Sequence, residues 1–154
     1  MSQDDGIHIL LAEDDPDDRL LTRRALGESP LAATVTTVED GAELMRYLRR
    51  EGEYQDNGEK AAWPDLVLLD LNMPRMDGRE ALREIKTDAE LRRLPVVVLT
   101  TSEADRDILE SYNLGVNAFI TKPVNFDDLA DAMQALGKFW FDLATLPPEH
   151  DADE

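Results

Sequence analysis

The stretch "DLVLLDLNMP", residues 65–74, decides the fold class of this chain. Its four apolar residues, Leu66 to Leu69, form a run of strand length that is bounded by turn-forming residues. Such a run predicts a strand buried on both faces of a parallel sheet. The strand ends in Asp70, and a carboxylate is rarely buried without a partner. The stretch therefore predicts an α/β protein with a charged site where this strand ends.

Four more runs of strand length surround this one, at residues 7–12, 33–38, 94–100 and 116–121. A helix signal follows each of the five strands: Asp15 with Pro16, Asp40 with Glu43, Asp77 with Glu80, Ser102, and Asn125. The last helix carries an apolar stripe of Leu129, Met133, Leu136 and Trp140. Residues 51–64 are predicted to be a long loop, or a frayed helix end followed by a loop. Five strands alternating with five helices predict a doubly wound parallel sheet.

Composition limits the classes of function. The 154 residues suffice for one domain, contain no cysteine, and carry 34 acidic against 16 basic residues, a net charge of −18. This charge opposes binding to nucleic acid or to anionic membranes. The chain has neither a membrane-spanning apolar run nor a signal peptide, so we expect a cytoplasmic protein. The acidic surface fits a high-salt cytoplasm or ordinary selection for solubility.

Charged and hydroxyl side chains stand at the ends of four predicted strands: Glu13 and Asp14, Asp70, Thr100, and Lys122. The carboxyl ends of parallel strands form the usual ligand crevice of an open α/β sheet. Three carboxylates in one crevice repel one another and need a cation, and oxygen ligands suit Mg²⁺. Asp14 and Asp70 are predicted to bind it directly, and Glu13 through water.

The backbone carbonyl of Asn72 can complete this ligand set. An aspartate facing a lysine and a hydroxyl also suits phosphoryl transfer, with Asp70 as the nucleophile. Each residue has a simpler interpretation when taken alone. Asp70 could be a loop acid, Glu13 and Asp14 could cap the first helix, Thr100 could be a strand residue, and Lys122 could be a surface lysine. Their common position at strand ends favours a site.

Four motifs resemble the receiver domain of two-component response regulators: the pair "ED" at residues 13–14, "LLDLNMPRMDG", "LPVVVLTT" and "FITKP". The resemblance covers residues 7–138. It implies a flavodoxin-like sheet of order 2-1-3-4-5, and an Asp70 that accepts a phosphoryl group from a histidine kinase. It also implies Mg²⁺ bound by Asp14, Asp70 and the Asn72 carbonyl, with Glu13 acting through water. Lys122 matches the family's lysine, and Thr100 and Phe119 match its switch pair.

A narrower resemblance lies at the end of the chain, where "LGKFWFDLATLPP" is similar to response regulators that partner phytochromes. In that group the segment helps to build a homodimer. The large apolar side chains that favour a dimer are Phe139, Trp140, Phe141, Leu143 and Leu146. Packing of this segment on its own sheet is the alternative. The expected organisation is a disordered N-terminus (1–6), a receiver (7–138), an apolar dimer arm (139–148) and a disordered acidic tail (149–154).

The rival functions differ in what they require of the site. A haloacid-dehalogenase-like phosphatase needs a second aspartate, as general acid, two positions after the nucleophile, and here that residue is Asn72. A scaffold that never takes up phosphate would not need an intact acidic cluster. We therefore expect a signalling protein rather than an enzyme. Its expected partner is a phytochrome-like sensor kinase, or an unrelated histidine kinase that uses it as a phosphorelay intermediate or phosphate sink.

Overall fold

The computed structural model describes residues 7–28, 33–55, 63–71, 73, 76, 78–100, 118–121 and 125–144. Its strands are β1 (His8–Ala12), β2 (Thr34–Val38), β3 (Leu66–Leu69), β4 (Val96–Thr100) and β5 (Ala118–Thr121). Its helices are α1 (Pro16–Gly27), α2 (Gly41–Arg49), α3 (Gly78–Thr87) and α4 (Phe126–Ala144), with a short 3-10 helix at Gly52–Tyr54. No helix within these ranges is both long and apolar enough to cross a membrane.

The five strands form one parallel sheet in the order β2-β1-β3-β4-β5, the order that the receiver resemblance implies. The described ranges hold four α-helices rather than the five predicted. The remaining helix, predicted to begin at Ser102, falls on residues 101–117 and lies outside the described residues. The 3-10 helix occupies the stretch that the sequence predicted as loop or frayed helix end.

Successive residues of the central strands pack on opposite sides of the sheet, which explains their unbroken apolar runs. Leu10, Val67 and Leu69 belong to a core shared with α2 and α3. Ile9 and Leu68 belong to a second core shared with α1 and α4. The predicted stripe of the last helix is confirmed at three positions in that second core: Leu129, Met133 and Leu136.

The caps of α1 and α2 follow the sequence signals with one difference. Asp15 accepts hydrogen bonds from the backbone N–H groups of Asp17 and Asp18, and Pro16 is the first residue of α1. At α2 the Asp40 side chain accepts from the backbone N–H of Glu43, as predicted. The Glu43 carboxylate, however, accepts from the N–H of Glu39 rather than from that of Asp40. It reaches one residue further back than in a standard capping box.

Side-chain contacts hold the helices together on both faces of the sheet. Arg49 of α2 pairs with Glu84 of α3 at 3.0 Å. On the other face, Arg24 of α1 lies 4.9 Å from the centre of the Phe126 ring, at the start of α4. The 3-10 helix is fastened to α2 because the Tyr54 hydroxyl donates a 2.6 Å hydrogen bond to Glu43.

The Tyr54 bond predicts a pH-dependent contribution to stability. Burial, followed by the hydrogen bond to Glu43, raises the pKa of Tyr54 above its usual value. An unfolded tyrosine ionises at pH ~10 while the folded phenol stays protonated, so this contribution is complete below pH ~10 and declines above it. Tyr54→Phe is expected to cost about 1 kcal/mol at neutral pH.

The stability difference between native protein and Tyr54→Phe should therefore narrow as the pH rises above about 10. Urea unfolding of both proteins at neutral pH and at pH ~10.5 measures this stability difference. Tyr47 is present in both proteins, so its own ionisation cancels in the difference. A difference that stays constant over this range would show that the phenol does not remain protonated in the folded state.

Candidate phosphoryl-transfer and metal site

The register of the sheet places the two strand-end acids side by side. Ala12 of β1 pairs with Leu69 of β3, so the next residues, Glu13 and Asp70, leave the sheet at the same level. The Asp70 backbone N–H donates to the Ala12 carbonyl at 3.0 Å, and that of Glu13 donates to the Val38 carbonyl at 3.0 Å. Backbone hydrogen bonds therefore hold both acids where their strands end.

The structure brings three of the predicted ligands together. Carboxylate oxygens of Glu13, Asp14 and Asp70 all lie within 4.8 Å of one another. Glu13 is 1% exposed and Asp70 5% exposed, whereas the Asp14 side chain is open to solvent. Glu13 also accepts a 3.2 Å hydrogen bond from the backbone N–H of Asp15. The cluster thus combines two buried acids with one acid on the solvent side.

The donor chemistry of this cluster fits Mg²⁺. Three negative charges at this separation repel one another strongly in a partly buried site, and a divalent cation removes that repulsion. Carboxylate oxygens are the hard ligands that Mg²⁺ takes, usually one or two of them together with water molecules. An open, solvent-facing Asp14 leaves room for such waters.

Other predicted site residues are described only in part. Thr100 is the last residue of β4 and pairs with Thr121, and Phe119 of β5 pairs with Val98. The side chains of Thr100 and Phe119 lie outside what the structure describes, as do all atoms of Asn72 and Lys122. Their assigned roles therefore stay predictions.

The structure adds Gly78, the first residue of α3, which sequence reasoning treated only as part of a capping pattern. Its N–H donates to the Leu71 carbonyl at 2.8 Å. A Cβ at this position would overlap the carbonyl oxygen of Asp70 and lie 2.5 Å from Leu71 Cα. A glycine directly after the predicted cap Asp77 was the available signal, since it allows a close backbone approach. Gly78 therefore fixes the chain immediately behind Asp70.

A second close approach involves Gly41, at the start of α2. Its N–H donates to the Met76 carbonyl at 2.9 Å, and a Cβ there would overlap the same carbonyl group. Met76 is partly buried against the core of α2 and α3. The start of α2 thus supports the loop that follows Asp70.

Comparisons with known proteins agree with this geometry. Residues 9–134 match the sequence profile of the response regulator receiver domain. The response regulator Rcp1 of Synechocystis sp. is 42% identical over 139 residues, which cover 90% of this chain and 92% of that protein. Its Mn²⁺-bound crystal structure superposes with a TM-score of 0.80 at 42% identity, covering 92% of this chain and 99% of that chain.

A second solved structure is that of the phosphorylated cyanobacterial phytochrome response regulator RcpA. It superposes with a TM-score of 0.82 at 48% identity, covering 92% of this chain and 99% of that chain. Both relatives are matched over nearly their whole length, so the similarity is not restricted to the acidic cluster.

Proposed function

The chain belongs to the response regulator receiver family, and on that premise we propose that Asp70 is its phosphoacceptor. Receiver domains are signalling proteins that take a phosphoryl group from a histidine kinase. The observation that carries the assignment to Asp70 is its position: it directly follows the central strand β3, and its carboxylate lies within 4.8 Å of two further carboxylates. Strand β3 is the middle strand of the sheet and has β1 and β4 as its neighbours.

In the proposed reaction a carboxylate oxygen of Asp70 attacks the phosphorus of a phosphohistidine. A new P–O bond forms, the P–N bond breaks, and the histidine nitrogen leaves with the electron pair. A bound Mg²⁺ would neutralise the charge of the transferred group, held by Asp14, Asp70 and the Asn72 carbonyl. Glu13 would hold a metal-bound water.

Lys122 and Thr100 are proposed to face the transferred group, one as a cation and the other as a hydrogen-bond donor. Movement of Thr100 toward the phosphoryl group, with reorientation of Phe119, would then report phosphorylation at the surface of the domain. Such a switch is a two-state equilibrium that one local charge change biases. The net charge of −18 favours a protein partner over nucleic acid for the output.

The test of this function is uptake of phosphate from acetyl phosphate, followed by intact mass and by release of inorganic phosphate. A receiver takes up one phosphoryl group, and uptake requires Mg²⁺. A haloacid-dehalogenase-like phosphatase would instead release phosphate continuously without a lasting adduct. If the protein keeps its unmodified mass and acetyl phosphate is not consumed, both functions are contradicted. The scaffold function would then remain.

We further propose a phytochrome-like sensor kinase as the partner, supported by the similarity to RcpA, a cyanobacterial phytochrome response regulator. An unrelated histidine kinase, with this chain as phosphorelay intermediate or phosphate sink, is the alternative. Phosphotransfer from kinases of the two classes, compared at equal concentration, distinguishes them. A preference for the unrelated kinase would contradict the phytochrome proposal.

We also propose that residues 139–148 form a homodimer arm beyond the receiver (7–138), with residues 1–6 and 149–154 outside the folded part. In support, α4 continues without a break across the boundary at 138 to Ala144 and passes the end of the family match at 134. The side chains of Phe139, Trp140, Phe141 and Leu143 lie outside what the structure describes, as does all of Leu146.

The arm predicts a dimer in solution. Light scattering of the native chain should give twice the mass of one chain, and Trp140→Glu should give the mass of one, since a buried charge at an apolar interface is costly. Lys138→Glu is the control. Lys138 lies directly before the proposed arm, so this variant should remain dimeric. A native protein with the mass of one chain would contradict the arm and favour packing on its own sheet.

A further inference from the structure

Arg19 of α1 closes the turn that carries the acidic pair. Its Nη1 donates to the carbonyl of Glu13 at 2.9 Å and to the carbonyl of Asp14 at 3.1 Å. Its backbone N–H donates to the Asp15 carbonyl at 2.9 Å. The side chain is 20% exposed, and its Nη2 lies 3.9 Å from a carboxylate oxygen of Glu39, at the end of β2.

These two side-chain hydrogen bonds act on one particular residue. The carbonyl of Glu13 belongs to the peptide unit before the Asp14 Cα, and the carbonyl of Asp14 belongs to the unit after it. Because each peptide unit is planar, holding both carbonyls restricts φ and ψ of Asp14. That in turn fixes the direction in which the Asp14 side chain leaves the chain.

Asp14 needs this restraint more than its neighbours do. Glu13 and Asp70 are buried and are positioned by packing, whereas the Asp14 side chain is solvent-exposed and gains little from packing. We infer that Arg19 is a positioning residue, which orients Asp14 for cation binding by holding the two carbonyls that flank it. This inference rests on the proposed cation site of Glu13, Asp14 and Asp70.

The guanidinium is well suited to this task. It donates to carbonyls and so does not occupy the three carboxylates, and the two hydrogens of Nη1 serve the two acceptors in the fixed plane of the guanidinium. Its positive charge acts in the opposite direction, because a cation near the cluster weakens binding of a second cation. Charge alone therefore predicts tighter metal binding when Arg19 is removed, while positioning predicts weaker binding.

The test is Mn²⁺ binding to the metal-free chain, measured from the free-ion EPR signal at low salt and at about 1 M NaCl, where the Debye length is ~3 Å. Arg19→Lys keeps the charge but replaces the planar guanidinium with a shorter, more flexible side chain that does not hold both carbonyls in one geometry. Its dissociation constant should rise about tenfold, as is usual when a group that orients a metal ligand is lost. Arg23→Lys, the same change at an exposed position on the same helix, should bind as the native protein does.

Salt separates the two effects further. Arg19→Met loses both the charge and the donors, so its defect should be smaller than that of Arg19→Lys at low salt and equal to it at high salt. Native affinity in Arg19→Lys at both salt concentrations would overturn the inference. Tighter binding in Arg19→Met that vanishes at high salt, with Arg19→Lys unchanged, would assign Arg19 a purely electrostatic effect and would also overturn it.

Two measurements keep the outcome clear. Metal-free Arg19→Lys should melt only a few degrees below Arg23→Lys, since it weakens two hydrogen bonds to carbonyls and a long, partly exposed pair with Glu39. A much lower melting temperature of Arg19→Lys, with unchanged affinity, would make Arg19 merely structural and overturn the inference. If the native chain binds Mn²⁺ no better than Asp14→Asn does, the cation site itself is wrong, and the inference falls with it.

Discussion

Asp14→Asn is expected to slow phosphoryl uptake from acetyl phosphate by about a hundredfold at moderate Mg²⁺, because a metal contributes several kcal/mol of charge stabilisation in the transition state. The variant should not lose stability. Removing one of three mutually repelling carboxylates relieves the repulsion in the metal-free cluster, whose oxygens lie within 4.8 Å of one another. Function and stability should therefore change independently at this position.

The adjacent residue supplies a matched control for that variant. Asp15→Asn removes the same charge from the same turn, and asparagine can still accept the hydrogen bonds that Asp15 accepts from Asp17 and Asp18 as the cap of α1. Its uptake rate and unfolding free energy should stay near native. Intact mass over time gives the rates, and urea unfolding gives the stabilities. Equal rates in the two variants would show that Asp14 is not a ligand.

Gly78→Ala is expected to destabilise the chain by about 3 kcal/mol and to slow phosphoryl uptake as well. The added Cβ meets backbone atoms of Asp70 and Leu71, which cannot move aside as a flexible side chain would. Either α3 shifts or the chain behind Asp70 shifts, and both change the position of the phosphoacceptor.

Gly27→Ala is the control for this substitution. Gly27 ends α1, and a Cβ there would meet nothing within 4 Å. Its unfolding free energy should stay the same or rise by about 0.5 kcal/mol, since alanine restricts the unfolded chain more than glycine does. Urea unfolding of both variants is the measurement. Equal stability of the two would contradict the close approach of α3 to Asp70.

Much of the fold could be predicted because local signals and tertiary structure agree. The run at Leu66–Leu69 is buried on both faces, Asp15 and Pro16 start α1, and three of the four stripe residues of α4 lie in the core. The boundary at 138 was placed by similarity, and α4 continues through it despite Gly137, a residue that disfavours a helix interior. The 3-10 helix is fastened by the hydrogen bond from Tyr54 to Glu43. No periodic pattern of the sequence signals such a contact, so this helix was not predicted.

The acidic cluster could be predicted for a related reason. Glu13, Asp14 and Asp70 directly follow strands, and strand order then determines that they meet. Arg19 and Gly78 could not be assigned in the same way. Both residues act through backbone carbonyls, those of Glu13 and Asp14 for Arg19 and that of Asp70 for Gly78. Every residue has a backbone carbonyl, so the sequence does not show which carbonyls are contacted.

The measurement that tests the central claim most directly is intact mass after incubation with acetyl phosphate, for the native chain and Asp70→Asn, each with and without Mg²⁺, followed by peptide mapping. We predict one phosphoryl group per native chain, present only with Mg²⁺ and located on the peptide that contains Asp70, and no adduct in Asp70→Asn. An adduct on the variant, or on another peptide of the native chain, would contradict the assignment of Asp70 as the phosphoacceptor.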